Sequence, residues 1–269
     1  MTEARVAGAT ISGLLATSFT LADGRYEGEP FMPGAATRPR AALMTPLVRL
    51  GELDAAPGTD AVAVIAVNEG GSGERIALAI VGVRDGRAVS VATAVVGDRT
   101  RVRDVRVSGR DVVLDVVEIG PGEAACCGTQ LATRTYRLEG STLQEQAARV
   151  TGKVSLAATV AGYTWTAVAL DGVPMAAGVT APTLTYAEGR ISGTSACNQY
   201  TGPIAEPAPG TIEIGPTVVT RRACDGAAGD IERQFLKILA VSTRYTFQAG
   251  RLVFSGRDGD QMRSITFSR

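Results

Sequence analysis

The apolar stretches of this chain are short, rich in valine, isoleucine and threonine, and broken again and again by glycine turns. That pattern leaves little room for long helices and favours a mainly β protein. The first series of strand-like runs covers residues 61–67, 75–83, 88–96, 102–107, 111–117 and 131–138. Several alternate apolar with polar residues, the two-residue period of a strand with one wet face. Turns such as Glu69-Gly70-Gly71-Ser72-Gly73 and Gly97-Asp98 separate them. The polar stretch over residues 144–149 reads as a linker. A second β series follows at 164–170, 183–186, 190–195, 211–214, 243–248, 252–254 and 262–267. One helix interrupts it. Residues 230–239 place Ile231, Phe235, Ile238 and Leu239 on one stripe, with Asp230 positioned as N-cap,. The expected fold is therefore mainly β (α+β), with two β-rich modules at 1–155 and 156–269. The second carries an antiparallel sheet with one packed helix.

Composition excludes several chemistries. There is no histidine among the 269 residues, so a Ser-His-Asp triad, a Cys-His pair and an imidazole-ligated zinc are all ruled out. With 27 basic and 27 acidic side chains the formal net charge is zero. No strong field draws the chain to nucleic acid, and no nucleic-acid partner is expected. The longest apolar run, residues 61–67, is far short of the roughly 20 residues needed to span a bilayer, so no transmembrane segment is expected. Residues 7–16 are mildly apolar but interrupted by small and polar side chains, unlike a secretory leader. Taken literally, this describes a soluble cytoplasmic protein. The alternative is a leader removed before the numbering begins.

Several motifs in the second module occur together in the order of a known family. They are Trp165, Asp171-Gly172-Val173-Pro174, Pro182–Tyr186, Arg190-Ile191-Ser192-Gly193, Cys197-Asn198-Gln199-Tyr200-Thr201-Gly202, Ile214-Gly215-Pro216 and Thr220-Arg221-Arg222-Ala223-Cys224, followed by the helix with Glu232 and Phe235. This order resembles the META domain family, related to a heat-inducible bacterial envelope lipoprotein. Ala196 stands where that family usually has glycine. The first module resembles an extracytoplasmic module of the LppP/LprE lipoprotein type, through Gly70-Gly71-Ser72-Gly73, Gly97-Asp98-Arg99 and Ala125-Cys126-Cys127-Gly128-Thr129 before Arg134-Thr135-Tyr136. Gly128 departs from that family's Cys-Cys-Pro. Both resemblances imply a bacterial cell-envelope protein with no assigned reaction. They place it in the periplasm or on the outer face of the envelope, on the assumption of a leader absent from this numbering.

Four cysteines permit three pairings. Cys197 with Cys224 is preferred, since both lie in the smaller module. Cys126 and Cys127 could then form an adjacent disulfide, remain thiols or pair with other chains. A redox role lacks the Cys-x-x-Cys spacing, and a zinc site lacks paired knuckles. Asn198, Tyr200 and Arg221 are the candidate binding residues; a structural turn is the competing and favoured account. Glu52, Asp54 and Asp60 resemble a worn calcium loop, but alanines fall where ligands are needed and a solvated turn is expected. Catalytic residues, metal and cofactor are all expected to be none. The leading functional expectation is a non-enzymatic envelope protein, a binding or stress-related structural module with an unknown protein or envelope ligand. The alternatives are an inhibitor or interaction module docking another envelope protein, and a hydrolase using Asp111, Asp115 and Glu118 as paired carboxylates.

Overall fold

The computed structural model describes residues 1–30, 32, 34, 36–53 and 58–269. The chain divides into two compact units, Met1–Gly152 and Lys153–Arg269.

The first unit contains helix α1 (Glu3–Val6) and strands β1 (Thr10–Ile11), β2 (Phe19–Thr20), β3 (Arg25–Glu27), β4 (Arg40–Leu43), β5 (Arg49–Gly51), β6 (Asp60–Asn68), β7 (Arg75–Arg84), β8 (Arg87–Asp98), β9 (Arg101–Ser108), β10 (Asp111–Glu118), β11 (Gln130–Glu139) and β12 (Thr142–Lys153). Among the described residues, one sheet has the order β2-β1-β8-β7-β6-β4-β3, with β5 also on β6. The other is the antiparallel ladder β12-β11-β10-β9. β6 and β7 lie at the centre of the first sheet and are buried on both faces, which is why they read as near-continuous apolar runs,. Their two faces differ in size. Val62, Val64, Ile76, Leu78 and Ile80 pack against Val102, Val105, Val112, Leu114, Val116 and Tyr136 of the second sheet. Ala61, Ala63, Ala77 and Ala79 face the other way together with Ile65, Val67 and Val81, and the short alanines let Val6, Ile11, Leu14, Phe19 and Leu21 of the N-terminal segment lie close. Residues 1–21 thus form a lid on the sheet, held by β1 running parallel to β8. Strands of two or three residues are too brief to show a period, so this lid had no signature in the sequence.

The linker expected over residues 144–149 is instead the middle of β12. Leu143 is its one buried side chain among otherwise exposed neighbours. β12 is polar because it is an edge strand with little cover on either face, and polarity on an edge discourages unwanted pairing. The glycine turn at residues 69–74 joins β6 to β7. Asn68 organises it by donating to the carbonyls of Gly71 and Gly73 (3.0 and 2.7 Å) and accepting from Gly70 N–H (2.6 Å),.

The second unit contains α2 (Leu156–Thr159), α3 (Gly226–Val241) and strands β13 (Trp165–Leu170), β14 (Val173–Pro174), β15 (Thr183–Ala187), β16 (Arg190–Thr194), β17 (Gln199–Ala208), β18 (Thr211–Ile214), β19 (Val218–Val219), β20 (Ser242–Gln248), β21 (Arg251–Asp258) and β22 (Gln261–Ser268). Pairing runs β13-β15-β16-β17-β18-β20-β21-β22 and returns from β22 to β13, so the sheet closes on itself. Ala167 opposite Phe267 and Leu170 opposite Ile265 make that closing seam. Its interior is aromatic. Ring centroids step from Tyr245 to Phe254 (6.2 Å), Phe254 to Phe267 (5.7 Å), Phe267 to Phe235 (6.4 Å) and Phe235 to Tyr200 (5.4 Å), the tilted and edge-on geometry such rings prefer,.

Helix α3 presents Phe235, Ile238 and Leu239 as its buried stripe. It begins at Gly226, earlier than the sequence suggested. Asp225 occupies the cap position, and Asp230 pairs with Arg233 rather than capping. The first turn, Gly226-Ala227-Ala228-Gly229, has no large apolar side chain and therefore left no amphipathic trace,. No helix among the described residues is long and apolar enough to cross a membrane.

Candidate functional site

β16 ends at Thr194 and β17 begins at Gln199, so Ser195, Ala196, Cys197 and Asn198 form the turn between them. Ala196 has φ of +90°, a conformation in which glycine is at ease and alanine is strained,. The turn is closed by the Asn198 carbonyl, which accepts from the Ser195 N–H (2.7 Å).

The Asn198 side chain is buried, and its hydrogen-bonding capacity is used within the protein. Nδ2 donates to the Arg222 carbonyl (3.1 Å) and Glu232 Oε1 (3.0 Å), with Cys224 Sγ also 3.0 Å away,. Oδ1 accepts from the Thr220 hydroxyl (2.8 Å) and Arg222 N–H (2.9 Å). One amide therefore ties the β16–β17 turn to the segment leading into α3. Cys197–Cys224 makes the same connection covalently, with the Cα atoms 6.1 Å apart. Closing that loop stabilises the unit by roughly 3–4 kcal/mol on the chain-entropy account.

Glu232 completes the cluster from α3. Its Oε2 accepts Asn198 N–H (2.9 Å) and the Ser195 hydroxyl. Burial alone would raise its pKa. Hydrogen bonds from Ser195, the Asn198 side chain and the N–H groups of Asn198 and Cys197 outweigh that and hold it below the usual carboxylate value,. Asp171 plays a parallel part on the opposite flank of the helix stripe. At the β13–β14 turn, with φ of +50°, it accepts from Gln234 of α3 (3.2 Å), Ser264 N–H (2.9 Å) and Arg263 (2.7 Å to Nη2). Burial pushes its pKa up, but these donors pull it below the usual value. Two carboxylates and one disulfide thus seat α3 on the closed sheet.

Tyr200 is buried at the start of β17, two residues after Asn198, its hydroxyl donating to the Thr183 carbonyl (2.9 Å), and burial pushes its pKa well up. Arg221 does not join them. It is exposed, and it is the next residue, Arg222, whose backbone bonds Asn198 and whose guanidinium reaches the Cys197 carbonyl (3.1 Å). The three binding candidates are therefore not brought together: Asn198 and Tyr200 are buried and Arg221 is exposed. Cys197, Cys224 and Glu232 bring one potential ligand atom each within 4.8 Å of one another. Two of those atoms are sulfurs bonded to each other, and a disulfide sulfur is not the thiolate that a soft metal requires,.

The remaining candidates lie in the first unit. Cys126 and Cys127 form an adjacent disulfide in the β10–β11 loop. Asp111 is held by Arg137 (2.6 Å), Asp115 by Arg106 (2.5 Å) and Thr133 (2.9 Å), and Glu118 by Gln130 (2.9 Å). The Arg137 hydrogen bond lowers the pKa of Asp111. For Asp115, burial works upward but the bonds from Arg106 and Thr133 prevail and lower it. The calcium-like loop is corrected in one respect. Asp60 is not solvated; it is buried and accepts from Leu53 N–H (3.0 Å), because β6 carries it into the core. Asp54 lies outside the described residues.

Glu232, Thr220 and Asp171 carry no expected role in the sequence beyond their place in the ordered motifs. A usable signal did exist: Glu232 stands one turn before Phe235, so an acid occupied the buried stripe of the helix.

Residues 158–267 match the META domain family model, so the second unit carries a META domain. An NMR structure of a protein from Burkholderia xenovorans is similar, with 26% identity over 42% of this chain and 86% of that chain, at a TM-score of 0.35. Comparison with curated proteins finds no match.

Proposed function

We propose that this is a non-enzymatic module of the bacterial cell envelope, whose META domain is a disulfide-stapled scaffold for binding or for stress resistance. The observation that carries this reading is the saturation of the motif residues: Asn198, Glu232 and Ser195 bond one another and their neighbours rather than facing an open cleft. A general acid needs a raised carboxyl pKa. Glu232, Asp171, Asp111 and Asp115 are all shifted the other way. Two disulfides suit an oxidising compartment,, and the META match supports an envelope association.

The test is to trap thiols in intact cells producing the native gene product. Acid quenching followed by maleimide labelling should find Cys197 and Cys224 oxidised. Four reduced cysteines in the cell would overturn the envelope assignment. A second reading, an interaction module docking another envelope protein, is favoured by the exposed edge strand β12,. Proline substitutions along its outer edge would abolish such docking and leave the scaffold reading intact.

A further inference from the structure

The two disulfides differ in what they constrain. Cys197–Cys224 has a sequence separation of 27 and lies half-buried within the helix clamp. Cys126–Cys127 spans a single peptide bond. A cross-link between neighbours closes no loop, so it removes almost no chain entropy from the unfolded state. Stability is therefore a poor reason for this bond.

Nor does the surrounding loop rely on it. Its neck is fixed by Glu123, whose carboxylate accepts from Gly120 N–H (2.8 Å), Thr129 N–H (2.7 Å) and the Thr129 hydroxyl. Arg101 reaches across from β9 to the Gly128 carbonyl. Gly128 is buried against β10, where a Cβ would meet the Glu118 carbonyl oxygen at 2.5 Å. A turn bond from Cys127 N–H to the Ala124 carbonyl (2.9 Å) shapes the tip. Both cysteines lie beyond that neck and are exposed. A sulfur–sulfur bond that is open to solvent and carried by a loop pinned without it is placed for chemistry.

We propose that Cys126–Cys127 is a thiol–disulfide exchange site for an external dithiol, and that it cycles without disturbing the fold. A donor thiolate attacks one of the two sulfurs. The Cys126–Cys127 bond breaks, a mixed disulfide forms and the neighbouring sulfur leaves as thiolate. The donor's second thiol, as thiolate, then attacks the donor sulfur held in the mixed disulfide. The donor departs as its own disulfide, and the released sulfurs take up two protons. Two electrons have moved from donor to protein, leaving an adjacent dithiol suited to capture by trivalent arsenic.

Purified full-length protein is incubated with graded dithiothreitol, quenched with N-ethylmaleimide and examined by intact mass and peptide mapping. Two labels are expected on the Cys126–Cys127 peptide at a dithiol concentration at least about tenfold below that labelling Cys197 and Cys224, with an unchanged melting curve. Phenylarsine oxide should add once to that partly reduced form. Simultaneous labelling of all four cysteines, labelling of Cys126 or Cys127 without reductant, or a melt that collapses as this pair reduces would each overturn the proposal. The double substitution Cys126→Ser with Cys127→Ser should abolish the early pair of labels and keep the wild-type melt. An unfolded double variant would equally refute it. Because this readout follows the first unit in purified protein, its failure is separable from that of the envelope reading, which depends on Cys197 and Cys224 inside cells.

Discussion

At the residue scale, Asn198 and Glu232 show how a motif can be specific without being reactive. Each places polar atoms where only the other's element can satisfy them, and a lost partner leaves a buried group unpaired. In Glu232→Gln one side-chain oxygen becomes a donor that faces either Asn198 N–H or Asn198 Nδ2. The expected cost is about 1–3 kcal/mol in chemical denaturation. The pH dependence has a fixed sign. A carboxylate whose pKa is lower folded than unfolded stabilises the fold above its unfolded pKa and loses that contribution as pH falls through the folded value. The META domain should therefore weaken as pH drops below about 4.5, and Glu232→Gln should show a shallower acid slope. A parallel slope in the variant would remove Glu232 from the clamp. Asn198 and both cysteines of this cluster stood out in the sequence because the motif containing them is unusual. Arg222 did not stand out from Arg221, because what matters is a backbone N–H that every residue possesses.

At the element scale, helix and sheet meet with almost no clearance. A Cβ on Gly256 in β21 would lie 1.7 Å from the Val241 carbonyl oxygen at the end of α3. The obstacle is backbone and cannot rotate away. Gly256→Ala should cost about 3 kcal/mol or more in thermal unfolding, and a wild-type melt would mean that α3 ends less tightly against β21 than described. The long central strands were readable because double burial leaves an apolar run, and the core of α3 because burial leaves a stripe. β12 reads as a linker because an uncovered edge strand and a linker are both polar,. The start of α3 is not legible in the sequence because its small residues carry no period,. The sequence records burial where large apolar side chains repeat along a long element; short strands, small residues and uncovered edges leave no such period.

At the scale of the whole molecule, each unit carries its own enclosed interior, though the means differ. The first encloses its central sheet between a second sheet and a lid made from its own beginning. Phe19, buried in that lid and stacked on Tyr26 at 4.7 Å, anchors it. Phe19→Ala should cost about 3–5 kcal/mol in a denaturant titration followed by circular dichroism; a loss under about 1 kcal/mol would show the lid to be dispensable. The second unit closes by joining its earliest long strand, β13, to its last, β22. A ribosome or export channel delivers such a chain from one end, so β13 waits for a mate synthesised after almost everything else. Until then Trp165 and the other aromatic side chains remain without their final enclosure. Shortening the chain by its final strand therefore removes the seam on which closure of this sheet depends, and leaves β13 without its late mate,.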